Sequence, residues 1–230
     1  MFRTQFRRRL YKAIAILILL FAGYTTSVIF PKWAFAHVGG TETLRIHAAT
    51  ALPPVTEALA ARVEAQLKTS GLPMPTHTLH LYVTGNGWRR VWFFGRHGYA
   101  AGIAHPVIAP HHAFLADADL VANRMRKADL LVPLPRSATF YAVHELAHVL
   151  TQQAVGSWDY VQMDPILREG IADYVALGPA PKALLDAVKR TSGDDPDTAL
   201  RERWGPYPTA RAMLTHVLAD GRGIADLLAR

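Results

Sequence analysis

Two histidines four residues apart are the residues of this chain best suited to metal chemistry. They lie in the run His144-Glu145-Leu146-Ala147-His148, which the sequence places in an apolar, helical stretch. Because residues i and i+4 share one face of a helix, both imidazoles can bind one metal ion. Glu145 lies one position around the helix, where its carboxylate can take a proton from a metal-bound water as a general base. The run predicts a zinc hydrolase site.

A second helix is predicted directly after Asp164-Pro165, a typical N-cap and first-turn pair. Glu169 and Asp173 share one face of that helix. A catalytic zinc takes three protein ligands and keeps a fourth position for water, so the expected ligand set is His144, His148 and Glu169. Asp173 is expected to accept the remaining N–H of a ligand histidine and so fix its tautomer.

The same residue types also occur in helices that bind no metal. Two histidines on an apolar helix can be hydrogen-bonded core residues, and Glu169 can be an exposed acid. Its register with Asp173 and the presence of Glu145 favour a metal site. Gly170 supports this interpretation, because a glycine inside a helix costs about 1 kcal/mol relative to alanine and indicates a close backbone contact.

Together the two helices resemble those of the gluzincin metallopeptidases, the thermolysin-like and aminopeptidase-like group. The group combines H-E-x-x-H on one helix with E-x-x-x-D on the next, and the resemblance covers residues 137–178. Asp164–Tyr174 is also similar to the P-x-W-L-x-E-G-x-A-x-Y helix of small membrane-linked members, with Ile166 in place of the tryptophan. The resemblance implies Zn²⁺ as cofactor and a peptide or protein as substrate.

A tyrosine farther along the chain is the candidate for stabilising the oxyanion. Gly205-Pro206-Tyr207 is similar to the proline-tyrosine segment of the aminopeptidase branch, whose tyrosine hydroxyl binds the tetrahedral oxyanion. The resemblance implies this role for Tyr207, although a tyrosine beside two prolines can also be a packed turn residue. His216 is the second candidate, followed by Tyr174 and Tyr160.

The N-terminal segment predicts a membrane anchor. An uncharged span, Ala13–Phe30, is eighteen residues long and can just cross a bilayer. The basic flank before it predicts a cytoplasmic N-terminus and an extracytoplasmic domain. Residues 1–36 are therefore assigned to the flank and anchor and residues 37–230 to a zinc metallopeptidase-like domain. Cleavage near Ala36, which would give a secreted protein, is the alternative.

The charge distribution argues against a nucleic-acid partner. The chain has a formal net charge of +7, but six of its 25 basic residues precede residue 37, and no acidic residue lies there. The other 19 basic residues nearly balance 18 acidic ones. The chain has no cysteine, which excludes disulfides and thiolate ligands.

A basic and aromatic cluster follows the turn at Gly85-Asn86-Gly87. Its composition favours a hairpin strand with one buried face, and contact with a membrane surface or a substrate is the alternative. The cluster comprises Arg89, Arg90, Trp92, Phe93, Phe94 and Arg96.

The order of periodic segments predicts an α+β fold, with a small, mostly antiparallel sheet before a helical half that carries the metal ligands. An amphipathic helix is expected from Val55 to Leu67. Strands are expected at 78–83, 88–94, 100–104 and 130–132, and helices at 138–154, 165–177, 181–190 and 208–219. In the resembled fold an edge strand lies above the metal, and Gly98–Ala104 is the candidate for it.

Endopeptidase activity is favoured over aminopeptidase activity. An aminopeptidase must bind the α-ammonium group of its substrate with carboxylates near the edge strand, and the resembling enzymes carry a glutamate there. Between Gln66 and Glu145 the acids are Asp117, Asp119 and Asp129, none within an expected strand. Two other functions stay open: a catalytically silent zinc module that binds a partner protein, and a zinc hydrolase of a non-peptide amide.

Overall fold

The computed structural model of the chain describes residues 2–126, 136–191, 196–204 and 207–229. Over this part the fold is α+β, as expected, with ten α-helices and one five-stranded sheet. The helices are α1 Phe2–Ile29, α2 Thr56–Lys68, α3 Trp88–Phe94, α4 Ala138–Val155, α5 Ser157–Gln162, α6 Pro165–Leu177, α7 Lys182–Arg190, α8 Pro196–Trp204, α9 Pro208–Val217 and α10 Ile224–Leu228.

The strands alternate with the first helices along the chain. Short 3₁₀ turns at Pro31–Ala34 and Gly95–His97 follow α1 and α3. The main sheet contains β1 His37–Gly40, β2 Leu44–Ala48, β3 Leu79–Val83, β4 Gly102–Ala104 and β5 His112–Leu115, and a separate two-stranded ribbon contains β6 Ala118–Asp119 and β7 Arg124–Met125.

The main sheet is mixed, so the prediction of a mostly antiparallel sheet was wrong. Its strand order is β1-β2-β3-β5-β4. The outer pairs β1–β2 and β4–β5 are antiparallel, whereas β2–β3 and β3–β5 are parallel. The reason is the connection through α2, which returns the chain from the end of β2 to the start of β3, as a parallel pair requires. Strand β4 lies at an edge of the sheet.

One face of the sheet and three helices enclose the main hydrophobic core. Alternate residues of β2, β3 and β5 point into it, as the period of two in a strand requires. Helix α4 is buried almost all round between the sheet, α2 and α6, which explains its uniformly apolar sequence. The core includes Leu44, Ile46, Leu59, Val63, Leu81, Leu115, Leu146, Leu150, Ile171 and Val175.

The opposite face of the sheet packs against α3 and the last turns of α1. Tyr82 and Phe114 point to this side, where Phe114 stacks on Phe93 with ring centroids 4.9 Å apart. Val28 of α1 and Phe35 just after it are buried in the same cluster. The N-terminal segment therefore contributes side chains to the second core of the domain.

Residues 88–94 form helix α3, so the predicted hairpin strand was wrong. Aromatic residues are enriched in strands, and so short a segment shows little periodicity. In the structure Phe93 and Phe94 are buried against the sheet. The buried Arg90 donates from Nη2 to the Gly98 carbonyl at 2.6 Å, which ties the helix to the loop before β4. Trp92 and Arg96 of the cluster are exposed, and Arg89 is half-buried.

Local sequence signals placed four helices of the second half correctly, whereas α5, α8 and α10 were not predicted. Ser137 caps α4 by accepting from the Phe140 amide, and Asp164 caps α6 by accepting from the Ile166 amide. The prediction for α6 matches its bounds, and those for α4, α7 and α9 differ by one or two residues. The prediction for α2 is also confirmed. Strands β1, β2, β5, β6 and β7 were not predicted, and the expected strand at 130–132 lies outside the described residues.

The expected close contact at Gly170 is confirmed. A Cβ built at this position would lie 2.9 Å from the carbonyl oxygen of Ala210 in α9. Any side chain would therefore force α6 and α9 apart. Because α9 begins directly after Tyr207, this contact also holds that tyrosine near the helix that carries Glu169.

A row of histidines lies on the α3 side of the sheet. His47 and His80 share a hydrogen bond of 3.0 Å between Nε2 and Nδ1, and the rings of His80 and His112 are 5.5 Å apart. Burial, together with nearby positive groups that include Lys32, lowers the pKa of each of these three histidines to about 4. The folded chain therefore holds them neutral.

Because these histidines are neutral in the folded protein, we expect the protein to lose stability in mild acid. The unfolded chain binds protons at these histidines below pH 6.5 and the folded chain only near pH 4, so the free energy of unfolding should fall across that range. We expect the free energy of unfolding to decrease by an amount on the order of 3 kcal/mol, a figure already reduced because the three histidines are partly exposed to solvent. Urea unfolding of the chain in detergent with a chelator would measure it. The variant His80→Gln should reduce the change of the unfolding free energy with pH, and the exposed control His37→Gln should not. The same change in the wild type and both variants would show that the histidine row does not cause the loss of stability.

Candidate metal centre

Three side chains from two adjacent helices converge on one point. His144 and His148 lie one turn apart on α4, and Glu169 faces them from α6. Glu169 Oε2 lies 3.2 Å from His144 Nε2 and 3.6 Å from His148 Nε2. One ligand atom of each residue lies within 4.8 Å of those of the other two. These residues, which the sequence predicts as ligands, can hold a metal ion.

The separations of these atoms fit a four-coordinate ion. Nitrogen and oxygen ligands at 2.0–2.2 Å from a tetrahedral zinc are about 3.4 Å apart. The observed 3.2 and 3.6 Å lie on either side of that value. Two imidazoles and one carboxylate form a donor set that suits zinc and leaves one coordination position for water.

Asp173 lies where the sequence predicts it, behind His144. Its Oδ1 accepts from His144 Nδ1 at 3.0 Å, which leaves Nε2 free to face Glu169. Asp173 is fully buried, and Arg136 Nη1 lies 3.4 Å from the same oxygen. The guanidinium balances the buried carboxylate and stacks over the Phe140 ring. These contacts fix the tautomer and orientation of His144.

The protonation of the site in the absence of a metal follows from these contacts. Burial acts to lower the pKa of His144, but hydrogen bonds to Asp173 and Glu169 outweigh it and raise the pKa to about 10. Burial acts to raise the pKa of Glu169, yet hydrogen bonds to His144 and His148 hold it well below its usual range.

Glu145 lies beside the three ligand residues and is not one of the converging group. Its carboxylate is buried, which raises its pKa, and it is hydrogen-bonded by the backbone of Ala104 in β4. A Cβ at Gly102 would lie 2.6 Å from Glu145 Cγ. Only glycine therefore allows the edge strand to run this close to the carboxylate. The expectation that the segment Gly98–Ala104 supplies an edge strand over the site is confirmed for residues 102–104.

Tyr160 supports the second histidine in the way that Asp173 supports the first. Its hydroxyl lies 3.3 Å from His148 Nδ1, where it can accept the N–H of the tautomer whose Nε2 faces the metal position. Arg168 covers the Tyr160 ring, with its guanidinium carbon 5.2 Å from the centroid. Sequence reasoning considered Tyr160 only as a reserve oxyanion donor, and its contact assigns it to positioning His148.

Tyr207 lies at the same cleft as the metal ligands. Its ring is nearly parallel to that of His144, with centroids 6.2 Å apart. Burial raises the pKa of Tyr207 well above its usual value, and the carboxylates of Glu169 and Glu145 act in the same direction. Its hydroxyl therefore stays protonated and can donate. The preceding residues 205–206 lie outside the described residues.

Two of the other candidates for the oxyanion role, His216 and Tyr174, lie elsewhere. His216 is exposed on α9 and does not line the metal cleft. Tyr174 lines a different cavity, between α2, α6 and the C-terminal turns. The metal cleft itself has a volume of about 480 Å³. Its lining residues include His97, Tyr99, Gly102, His105, His144, Glu145, His148, Tyr160, Arg168, Glu169 and Tyr207.

Sequence reasoning missed three residues that shape the site. Gly102 shows no signal, because its role depends on a strand that packs across α4. Arg136 lies immediately before the N-cap of α4, and its contact with Asp173 joins two helices. Arg211, buried in α9, is a second guanidinium that interacts electrostatically with Asp173. A buried aspartate must have cationic or polar partners, so Asp173 was the signal that such residues existed.

Comparisons with protein-family models, with curated proteins and with solved structures find no match to this chain.

Proposed function

We propose that this protein is a zinc-dependent metallopeptidase of the gluzincin type that α1 anchors in a membrane. The observation that carries the proposal is the convergence of His144, His148 and Glu169 beside a buried glutamate that does not belong to the ligand set. A purely structural metal site is closed and needs no such acid. Glu145 therefore favours hydrolysis over a silent binding module.

Each side chain at the cleft has a role in this proposal. A bound zinc supplies Lewis acidity and a water whose pKa lies near neutrality. Glu145 takes the proton of the attacking water and delivers it to the leaving amine. Tyr207 donates a hydrogen bond to the oxygen on which negative charge develops. Asp173 and Tyr160 hold the two ligand histidines in the required tautomers.

The edge strand offers a binding site for an extended substrate. Among the described residues, strand β4 pairs with β5 on one side only, so its other edge can offer backbone groups to a peptide beside the Ala104 group that bonds Glu145. Because Gly102 touches Glu145, a peptide added to this edge would run past the metal position. Backbone pairing of this kind favours peptides over small non-peptide amides.

The composition of the cleft supports endopeptidase activity. Among its described lining residues the acids are Glu145 and Glu169, and both have roles at the metal. No further carboxylate of the described lining can bind the α-ammonium group of an N-terminal residue. The cleft instead presents His97, His105 and Arg168. Substrates whose chain continues on both sides of the scissile bond fit this lining.

Retention of the N-terminal helix is the second part of the proposal. Residues 7–29 of α1 are long and apolar enough to cross a membrane. Val28, Ala34 and Phe35 are buried in the second core, so cleavage near Ala36 would remove side chains on which the domain packs. The basic flank favours a cytoplasmic N-terminus with the cleft on the far side.

The first test of this proposal is metal content. The purified full-length protein should carry one zinc ion per chain, as measured by inductively coupled plasma mass spectrometry. His148→Ala leaves two ligands and should abolish stoichiometric binding, whereas His216→Ala, which changes an exposed histidine away from the cleft, should not. A wild-type protein that binds no zinc after incubation with the ion would refute the metal site.

The second test is cleavage. The protein should cut internal bonds of a diverse peptide mixture, with products identified by mass spectrometry, and a chelator should abolish the cuts. Loss of single N-terminal residues would contradict the endopeptidase assignment. If the zinc-loaded protein cleaves no peptide but hydrolyses N-acylated sugars or other non-peptide amides, the peptidase proposal must be replaced by that of a zinc hydrolase of non-peptide amides.

A further inference from the structure

The exposed face of α3 and the chain just after α1 form an apolar surface that the metal site does not use. Its residues are Phe30, Trp33, Trp88, Val91 and Trp92, which are 67%, 61%, 49%, 74% and 42% exposed, respectively. They belong to two segments, residues 30–33 and 88–92, which Trp33 and Trp88 join by stacking on each other. We refer to these five residues as the α3 face. Exposed aromatic clusters of this kind mark interaction sites.

Specific contacts join this face to the end of α1. Trp92 Nε1 donates to Ser27 Oγ at 2.8 Å, and the Trp92 ring packs edge-on against Tyr24 at 5.7 Å between centroids. Trp88 stacks on Trp33, with centroids 5.6 Å apart. The α3 face is therefore continuous with the helix that is apolar enough to cross a membrane.

The length of α1 sets the depth of this face. The uncharged span Ala13–Phe30 measures about 27 Å at 1.5 Å per residue, and a bilayer core is about 30 Å thick. All of the span is needed to cross, yet its final part, from Tyr24 onward, is packed against the domain. The domain must therefore reach into the far boundary of the membrane. With Phe30 at that boundary, Ser27 and Tyr24 lie about 5 and 9 Å inside it.

The chemistry of the face suits this depth. Interfacial helices bury their apolar side about 5–10 Å into the boundary between headgroups and acyl chains. Tryptophan is enriched at that level because its ring is apolar and its N–H is polar. Arg89 lies over the Trp88 ring, with its guanidinium carbon 4.8 Å from the centroid, and donates to the Ala34 carbonyl. A cation there can reach anionic headgroups.

We propose that the α3 face is a membrane-contact surface that lies in the lipid interface on the side where α1 leaves the bilayer. This inference rests on the proposed retention of α1 as an anchor. Because α3 leads directly into His97 and Tyr99, which line the metal cleft, it also places the cleft next to the membrane surface. Membrane-bound or membrane-proximal polypeptide is then the substrate class within reach.

Spin-label accessibility tests the proposal on the full chain. The protein has no cysteine, so single variants can be labelled without removing native ones. Val91→Cys probes the face, and Leu17→Cys probes the middle of α1. Val121→Cys is the matched control, because Val121 is 68% exposed and lies close to the Asp119–Arg126 ion pair. Each would be reconstituted in nanodiscs of phosphatidylcholine and phosphatidylglycerol and exposed to oxygen or to chromium oxalate.

We expect the ratio of oxygen to chromium accessibility to be severalfold higher at Val91 than at Val121, and highest at Leu17. A lipid-exposed label at Leu17 together with a water-exposed label at Val91 would overturn the inference and leave the anchor intact. A water-exposed label at Leu17 would instead refute the anchor, and the inference with it. A label at Val91 that neither reagent reaches would show that protein covers the face, and this result would also overturn the inference.

Discussion

Replacing Glu145 by glutamine is expected to abolish turnover while leaving the zinc in place. The amide has nearly the same shape as the carboxylate and can still lie against Gly102 and the backbone of Ala104. It cannot accept the proton of the attacking water, so kcat/KM should fall by about 10² to 10⁴-fold. The measurement is peptide cleavage and metal content on the same preparation.

Glu64→Gln is the matched control for this prediction. Glu64 on α2 and Glu145 are each 8% exposed, so both changes neutralise a buried glutamate. Glu64 lies outside the residues that line the cleft, and its replacement should leave kcat/KM unchanged. Undiminished cleavage by Glu145→Gln would remove this carboxylate from the mechanism. Loss of zinc in that variant would instead show that Glu145 is part of the metal site.

Replacing Tyr207 by phenylalanine is the second change with a large expected effect. If the hydroxyl donates to the developing oxyanion, its removal acts mainly on the transition state. We expect kcat to fall by about 10² to 10³-fold with little change in KM. The ring would remain stacked beside His144, so fold and zinc content should be retained. Steady-state kinetics on one defined peptide would separate kcat from KM.

Two other tyrosines serve as comparisons for Tyr207. Tyr174→Phe removes a hydroxyl away from the metal cleft and should leave kcat unchanged. Tyr160→Phe removes the partner of His148 Nδ1 and should weaken zinc binding, an effect that Tyr207→Phe should not show. An unchanged kcat in Tyr207→Phe would mean that this tyrosine only packs against His144.

The pairing of the two histidines in the candidate metal site could be predicted from the sequence because its geometry is local. A spacing of four residues places His144 and His148 on one helix face wherever that helix lies. Ser137 and Asp164 set the helix starts through side chains that bond to amides two or three residues away. The start of helix α6, which carries Glu169, could therefore be predicted without knowing which helix it packs against.

That residues 88–94 form helix α3 and not a strand could not be predicted in this way. Seven residues rich in aromatic side chains fit a strand as well as a short helix. Burial of Phe93 against Phe114 and the contact between Trp92 and α1 decide for the helix. Both partners are distant in sequence, so no local pattern contains this information.

By itself the sequence determined the features that depend on neighbours along the chain: the paired ligand helices, their caps, and an apolar span after a basic flank. Only the tertiary structure decided that the sheet is mixed, that Gly102 lies against Glu145, and that Arg136 and Tyr160 support Asp173 and His148. The physical reason is the distance along the chain over which each kind of interaction acts. Helix periodicity and capping act within one or two turns, whereas these contacts join segments whose approach depends on the packing of the whole core.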